Sequence, residues 1–307
     1  MICILEGPDG GGKTTLAKHL QEHHGFQYVH TGPPESDKVL EAYGKTLYDA
    51  SRAPRDTVID RLHVGERIYG PTLRNQDRLG RAGEILIHRL ISAYGARLIF
   101  CLPPYNAAFT NWRKKHREGA ELVKQEQTYE RIYKAYQETV RDPFYGSVSW
   151  YDYTKLDIEV AANILLEFHR DTRLPTGVIG AVDPKFLFVG EKANQTYLDI
   201  PFFALNGSSQ YLNECIAEAG YEERDIALMN AMDLSGSTMP LSETYLTLKR
   251  PKVIALGSHA HRALDHARVT NAMVPHPAYW RRFQSTSRNL YVKQLREIRL
   301  GTFRHQG

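Results

Sequence analysis

Short apolar runs alternate with amphipathic stretches along the first half of the chain. Ile2–Leu5, Thr57–Ile59, Arg97–Leu102 and Val148–Tyr151 read as strands, while Thr15–His23, the segment through Arg81–Tyr94 and Ile158–Phe168 carry the spacing of helices. Such alternation predicts an α/β fold: a parallel sheet with helices on both faces and ligands at its carboxyl edge. The pattern breaks at RLPTGVIGAVDP, whose proline and glycine punctuation predicts a linker over 173–183. A second α/β series follows, with strands at Phe186–Val189, Ile226–Met229, Val253–Leu256 and Thr270–Val274. Its predicted helices are Ser208–Ala219, His259–His266 and a basic one near Asn289–Leu300. The expected organisation is therefore one α/β domain over 1–172 and a smaller one over 184–307.

A chain of 307 residues suits two such domains, and 42% hydrophobic with 24% charged residues is the balance of a globular protein rather than a disordered or membrane one. No run approaches about 18 uninterrupted apolar residues, and the N-terminus opens into a strand without a signal-peptide pattern, so a cytoplasmic location is expected, in a host cytoplasm if the origin is viral. Cys3, Cys101 and Cys215 lie far apart in apolar stretches, which predicts core positions rather than a disulfide or zinc framework. The net charge of +4 is unevenly placed: from Lys249 onward there are 12 Lys or Arg against two acids, Asp265 and Glu297. That is the footprint of a phosphate-backbone partner or of a solvated basic helix.

The sharpest chemical signal is GPDGGGKTTL, residues 7 to 16, directly behind the first strand. It fits GxxxxGK[ST] at every constrained position. Gly7, Gly10, Gly11 and Gly12 let successive backbone N–H groups turn inward around phosphates, and the next helix, opening at Lys13, Thr14 and Thr15, places its positive end beneath them. Lys13 is expected to neutralise phosphate charge and Thr14 to ligate Mg²⁺, which implies ATP and Mg²⁺ as cofactors.

Two further segments refine this. VIDRLHVGERIYG places Asp60 and Arg61 at a strand end, where the carboxylate can meet Mg²⁺ or an acceptor hydroxyl and the guanidinium an anion. WRKKHREGAE, residues 112 to 121, reads as a basic lid between two helices, with Arg113 and Arg117 one turn apart and able to cover the migrating phosphoryl group.

With LEGPDGGGKTT, DRLH, the arginine-rich lid and QTYERIYKAYQE, residues 1 to 170 resemble the thymidylate kinase family. The resemblance implies a phosphotransferase holding a pyrimidine deoxynucleotide between loop, Asp-Arg strand end and lid, with Asp9 at the acceptor's sugar or attacking hydroxyl and Arg61 orienting the acceptor. Where members acting on free monophosphates carry Arg-Glu-Pro to clamp the acceptor phosphate, this chain reads His30-Thr31-Gly32-Pro33-Pro34. A neutral hydroxyl needs no such clamp, although Arg67, Arg74 or Arg78 are alternative clamps.

FLFVGEKAN, DIALMNAMDLSG, KVIALGSHAHRAL and VPHPAYWRR make the second half similar to a shortened uracil-DNA glycosylase superfamily domain. The resemblance implies a polar loop residue at Glu191 or Asn194, a base-stacking aromatic at Phe202 or Phe203, an edge-reading Asn230 and a His276-Pro277 loop, with Tyr279, Trp280, Arg281 and Arg282 adding aromatic and cationic contact to DNA. Gly190-Glu191-Lys192-Ala193-Asn194 lacks the usual Pro-Gly, which favours base capture over excision. Joined, the halves resemble phage-type 5-hydroxymethyluracil DNA kinases, which phosphorylate the base hydroxymethyl group within DNA. A free deoxypyrimidine monophosphate kinase is the second reading, and a glycosylase with a regulatory nucleotide domain the third.

Overall fold

The computed structural model describes residues 1–34, 38–118, 123–145, 149–167, 174–175, 177–192, 207–233, 235–284 and 287–303. The chain divides into two compact units, Met1–Ile87 with Tyr94–Thr172, and His88–Ala93 with Arg173–Gly307.

The elements of the first series are β1 (Ile2–Glu6), α1 (Lys13–His24), β2 (Gln27–His30), α2 (Val39–Arg52), β3 (Thr57–Asp60), α3 (His63–Arg74), α4 (Gly80–Ala93), β4 (Arg97–Cys101), α5 (Tyr105–Arg117), α6 (Glu126–Arg141), β5 (Ser149–Tyr151) and α7 (Ile158–Glu167). The sheet runs β2-β3-β1-β4-β5, and every pairing is parallel. β1 and β3 are buried along their whole length, as strands covered on both faces must be. Register gathers three chain exits in one place: Leu5 lies opposite both Asp60 and Ile99, so the segments leaving β1, β3 and β4 emerge at the same edge. α1 packs Leu16, Ala17 and Leu20 against the sheet and stops at Gly25, whose left-handed backbone (φ 73°) lets its N–H reach the Leu20 carbonyl. Cys3, Cys101 and Cys215 are buried thiols.

Three sequence expectations change here. β2, α2 and α3 are elements the sequence pattern did not announce. The basic stretch Trp112–Arg117 is the last part of α5 rather than a connection between helices, because Trp112 is fully buried among aromatic side chains and anchors the helix. The expected linker is structured where described: Leu174, Val178 and Ile179 are buried, and Ile179–Gly180 forms β6.

The second series continues with β7 (Phe186–Lys192), α8 (Gly207–Glu218), β8 (Ile226–Met232), α9 (Leu241–Thr247), β9 (Lys252–Leu256), α10 (Ser258–His266), β10 (Asn271–Val274), α11 (Pro277–Phe283) and α12 (Arg288–Leu300). Its sheet order is β10-β9-β7-β8-β6, parallel except for β6, which pairs antiparallel with β8. β7 is central, and the chain crosses from β8 past it to β9, which makes the carboxyl ends of β7 and β9 the topological switch point. No helix among the described residues is long and apolar enough to cross a membrane.

Candidate active site

The glycines after β1 are held by close approach. A Cβ on Gly7 would lie 2.3 Å from the Cys101 carbonyl oxygen at the end of β4, and one on Gly11 2.6 Å from the same atom. Gly10, at φ +77°, lies so close to α5 that a Cβ would come within 2.3 Å of the Ala108 carbonyl oxygen. Gly12 packs under the Tyr153 ring and caps α1. The loop is thus clamped between β4, α5 and Tyr153, and its main chain opens onto the N-terminus of α1.

Lys13 is buried and folds back, donating to the Gly7 and Pro8 carbonyls at 2.8 and 2.7 Å. Burial, aided by the Arg61 charge, pushes its ammonium down to about 8. Thr14 donates its hydroxyl to Asp60 Oδ2 at 2.7 Å, Tyr28 donates to the same oxygen at 3.1 Å, and His30 Nδ1 lies 3.6 Å away. The other carboxylate oxygen of Asp60 is buried with no hydrogen-bond partner among the described residues. An uncompensated carboxylate oxygen beside a threonine hydroxyl is a fit for Mg²⁺, a hard cation bound through one or two carboxylates plus phosphate oxygens. Thr15 is exposed in the first turn of α1.

Arg61 has a left-handed backbone (φ 74°), which aims its side chain back over the loop. There it pairs with the Asp9 carboxylate and lies 5.5 Å from the Tyr69 ring centroid. Asp9 is fixed on its main chain too, donating its N–H to the Tyr69 hydroxyl at 3.2 Å and accepting from the Tyr129 hydroxyl at 2.8 Å. Beside this pair opens a cavity of about 220 Å³ lined by Asp9, Arg61, Tyr69, Glu66, Arg74 and the His30–Pro33 segment.

The alternative clamps named from the sequence differ in placement. Arg74 lines the cavity but is bound to Glu66 at 2.7 Å, and Arg78 grips both oxygens of Glu66 at 3.0 and 3.2 Å. Arg67 is held by Asp77 and Glu84. Arg113 is 54% exposed and lies 3.4 Å from Glu126, and Arg117 is exposed at the end of α5. The structure brings Asp9, Lys13, Thr14, Asp60 and Arg61 together, while Arg113 and Arg117 are exposed on α5.

Glu6 escaped sequence reasoning. Fully buried at the end of β1, it accepts from the N–H groups of Leu62 and Val64 at 2.9 and 3.0 Å, holding the start of α3. Burial raises its carboxyl above the ordinary glutamate range, against the lowering by those hydrogen bonds and by Lys13 and Arg61. The signal was a lone acid closing the apolar run ICILE.

In the second unit, Glu191 ends β7, and buried Asn230 stands on β8 beside Gly190. His259 Nδ1 lies 3.5 Å from Glu191 Oε1, and Glu191 also acts on His276, whose imidazole is pushed down chiefly by burial. His276 Nδ1 accepts from the Ala278 N–H at 3.1 Å, so it caps α11. His259 was not singled out from the sequence. Asn194, Phe202 and Phe203 lie outside the described residues. Arg281 and Arg282 are exposed on α11, Tyr279 is half-exposed, and Trp280 is buried against Tyr291, which removes it from any contact surface. The basic tail is in part internally bound: Lys249 pairs with Asp183, Arg288 with Glu214 and Glu218, and Arg296 with the Glu218 carbonyl.

No protein-family model matches the chain. Among curated proteins it is similar to a cytidylate kinase of Methylobacterium sp. (strain 4-46), 27% identical over 115 residues that cover 38% of this chain and 48% of that kinase. It is also similar to a guanylate kinase of Streptomyces kasugaensis, 32% identical over 129 residues covering 34% of this chain and 58% of that protein. The chain spans about half the length of these relatives. A solved structure of YorR protein from Bacillus subtilis in complex with phosphorylated GDP is similar at TM-score 0.44 and 18% identity, over 54% of this chain and 94% of that one.

Proposed function

We propose that the first unit transfers the γ-phosphoryl group of ATP to a hydroxyl of a pyrimidine deoxynucleotide, with the 5-hydroxymethyl group of 5-hydroxymethyluracil in DNA as its acceptor. The observation that carries the choice of acceptor is the charge pairing of the cavity. Its lining cations Arg61 and Arg74 are each held by a carboxylate, Asp9 and Glu66, the latter shared with Arg78. A free monophosphate brings about two negative charges that require unmatched cations, whereas a neutral hydroxyl requires only a proton acceptor.

Thr14 and Asp60 would hold Mg²⁺, which would supply neutralisation of the terminal phosphates. The loop amides and Lys13 hold the phosphates, with Lys13 leaving the Gly7 and Pro8 carbonyls to do so. The acceptor oxygen bonds to the γ-phosphorus as the bridge to ADP breaks, and the hydroxyl proton passes to the Asp9 carboxylate, which Arg61 orients while the Tyr69 hydroxyl holds the Asp9 main chain. Glu191, Asn230 and His276, near the carboxyl ends of β7, β8 and β10, support base capture, and exposed Tyr279, Arg281 and Arg282 support backbone contact.

A free nucleotide kinase is the second reading. The cytidylate and guanylate kinase names of the curated relatives and the presence of Arg74 in the cavity wall favour it. Labelled ATP offered with dTMP, dCMP and duplex DNA carrying 5-hydroxymethyluracil separates the two. Label on DNA is the expected result, and label on mononucleotides alone overturns the proposed acceptor.

A further inference from the structure

At the far end of α1 from the phosphate loop, three side chains converge that the phosphotransfer reading does not use. His19 Nε2 lies 2.9 Å from Glu159 Oε2, and His24 Nε2 lies 3.8 Å from Glu159 Oε1. One ligand atom from each of the three residues falls within 4.8 Å of the others. His19 and His24 belong to α1, and Glu159 to the first turn of α7.

We propose that His19, His24 and Glu159 form a binding site for a divalent transition metal, Zn²⁺ being the best match. Ligand atoms of a tetrahedral zinc at about 2.0–2.2 Å stand about 3.3 Å from one another; here the nitrogens lie 2.9 Å from Oε2 and 3.8 Å from Oε1 of Glu159, a spread that small side-chain rotations would close onto one ion. Both Nε2 atoms are shielded from water, yet among the described residues neither makes an aligned hydrogen bond, even to the carboxylate beside it. A simple His–Glu ion pair would direct an N–H at an oxygen. Two unaligned ring nitrogens facing the oxygens of one carboxylate are arranged instead to share a cation. The imidazole side chains are 13% and 15% exposed and the glutamate is 55% exposed, so the protein supplies three ligands on the inner side and leaves the outer position to water. The last turn of α1 adds its negative dipole end, which favours a cation there.

The site is separate from that for Mg²⁺·ATP. Along α1, His19 and His24 lie about 9 and 17 Å from Lys13, and two imidazoles in the donor set select against Mg²⁺, which takes oxygen ligands. Bound metal would tie the end of α1 to the start of α7.

Titration of ZnCl₂ into the nucleotide-free full chain in excess Mg²⁺, followed by calorimetry and thermal melting, tests this. One Zn²⁺ per chain and a raised melting temperature are expected, with at least about tenfold weaker binding in H19A, H24A and E159Q. Co²⁺ should give the visible absorption of a four-coordinate site in the wild type and lose it in E159Q, a surface change that leaves the helices intact. No uptake of Zn²⁺, or uptake unchanged in the H19A/H24A double variant, overturns the proposal.

Discussion

Thr14 and Asp60, 46 positions apart, are joined by a 2.7 Å hydrogen bond from hydroxyl to carboxylate, and the remaining oxygen of Asp60 is buried without a partner among the described residues. The pairing comes from register, since Asp60 sits opposite Leu5 at the edge where the phosphate loop begins. If this pair holds Mg²⁺, Asp60→Asn removes the anionic ligand while keeping shape. The expected loss is several kcal/mol of charge stabilisation, or about 100-fold or more in kcat, with weaker Mg²⁺-dependent ATP binding. Calorimetry of ATP with and without Mg²⁺ checks it; equal Mg²⁺ dependence in wild type and variant would exclude the assignment.

The phosphate loop was legible because its requirements are local: glycines where Cβ atoms have no room, then lysine and threonine opening a helix. Strands buried on both faces, such as β1, β4 and β9, were legible as apolar runs. β2 was not, because QYVH is an edge strand with half its side chains exposed. α2 carries a stripe, Val39, Leu40, Tyr43, Leu47 and Ala50, but begins after Gly-Pro-Pro and holds Gly44, which weakens its helical signal. The basic stretch lies within a helix as far as Arg117 because Trp112 binds that helix to the core, while residues 119–121 of the expected lid lie outside the described residues. The acceptor side depends on pairings between segments, Asp9 with Arg61 and Tyr69, that no spacing rule announces. Glu66, Arg74 and Arg78 lie within one short segment, yet only the fold brings both guanidiniums onto one carboxylate.

Lys13 gives a pH signature. Its ammonium is pushed down to about 8 in the nucleotide-free protein, and phosphate binding requires the charged form. Raising pH through that value neutralises the lysine before ATP arrives, so the KM for ATP should rise about tenfold per pH unit above it and stay flat below. Lys13→Arg, which keeps its charge, should flatten the profile even if turnover falls. A wild-type KM for ATP constant to one unit above the lysine value would refute this account.

Asp9 and Arg61 form a coupled pair, so their single variants should not add. Asp9→Asn removes the proton acceptor and releases Arg61, and a fall of about 100- to 10,000-fold in kcat is expected with the KM for ATP little changed. Arg61→Ala should act through Asp9 and acceptor binding, and the double variant should be scarcely worse than Asp9→Asn alone. Fully additive losses would show that the two act separately.

Glu6 makes the strongest stability prediction. Its folded carboxyl titrates above its unfolded value of 4.5 because burial disfavours the charge. Between those two values the folded state binds more protons than the unfolded state, so the stability this group contributes is present below the unfolded value and lost as pH rises through the folded one. Glu6→Gln keeps an oxygen to accept from Leu62 and Val64, and adds an amide that can donate toward the Tyr136 hydroxyl, which is buried without a partner among the described residues. The variant should therefore melt a few degrees above wild type at neutral pH, with the difference closing below about pH 4.5. Glu6→Ala instead leaves two N–H groups at the start of α3 without an acceptor and should cost about 1–3 kcal/mol at any pH. Melting curves of the three proteins across the pH range decide it. A Glu6→Gln variant less stable than wild type at neutral pH would mean that the ionised carboxylate, held by Lys13 and Arg61, outweighs its burial.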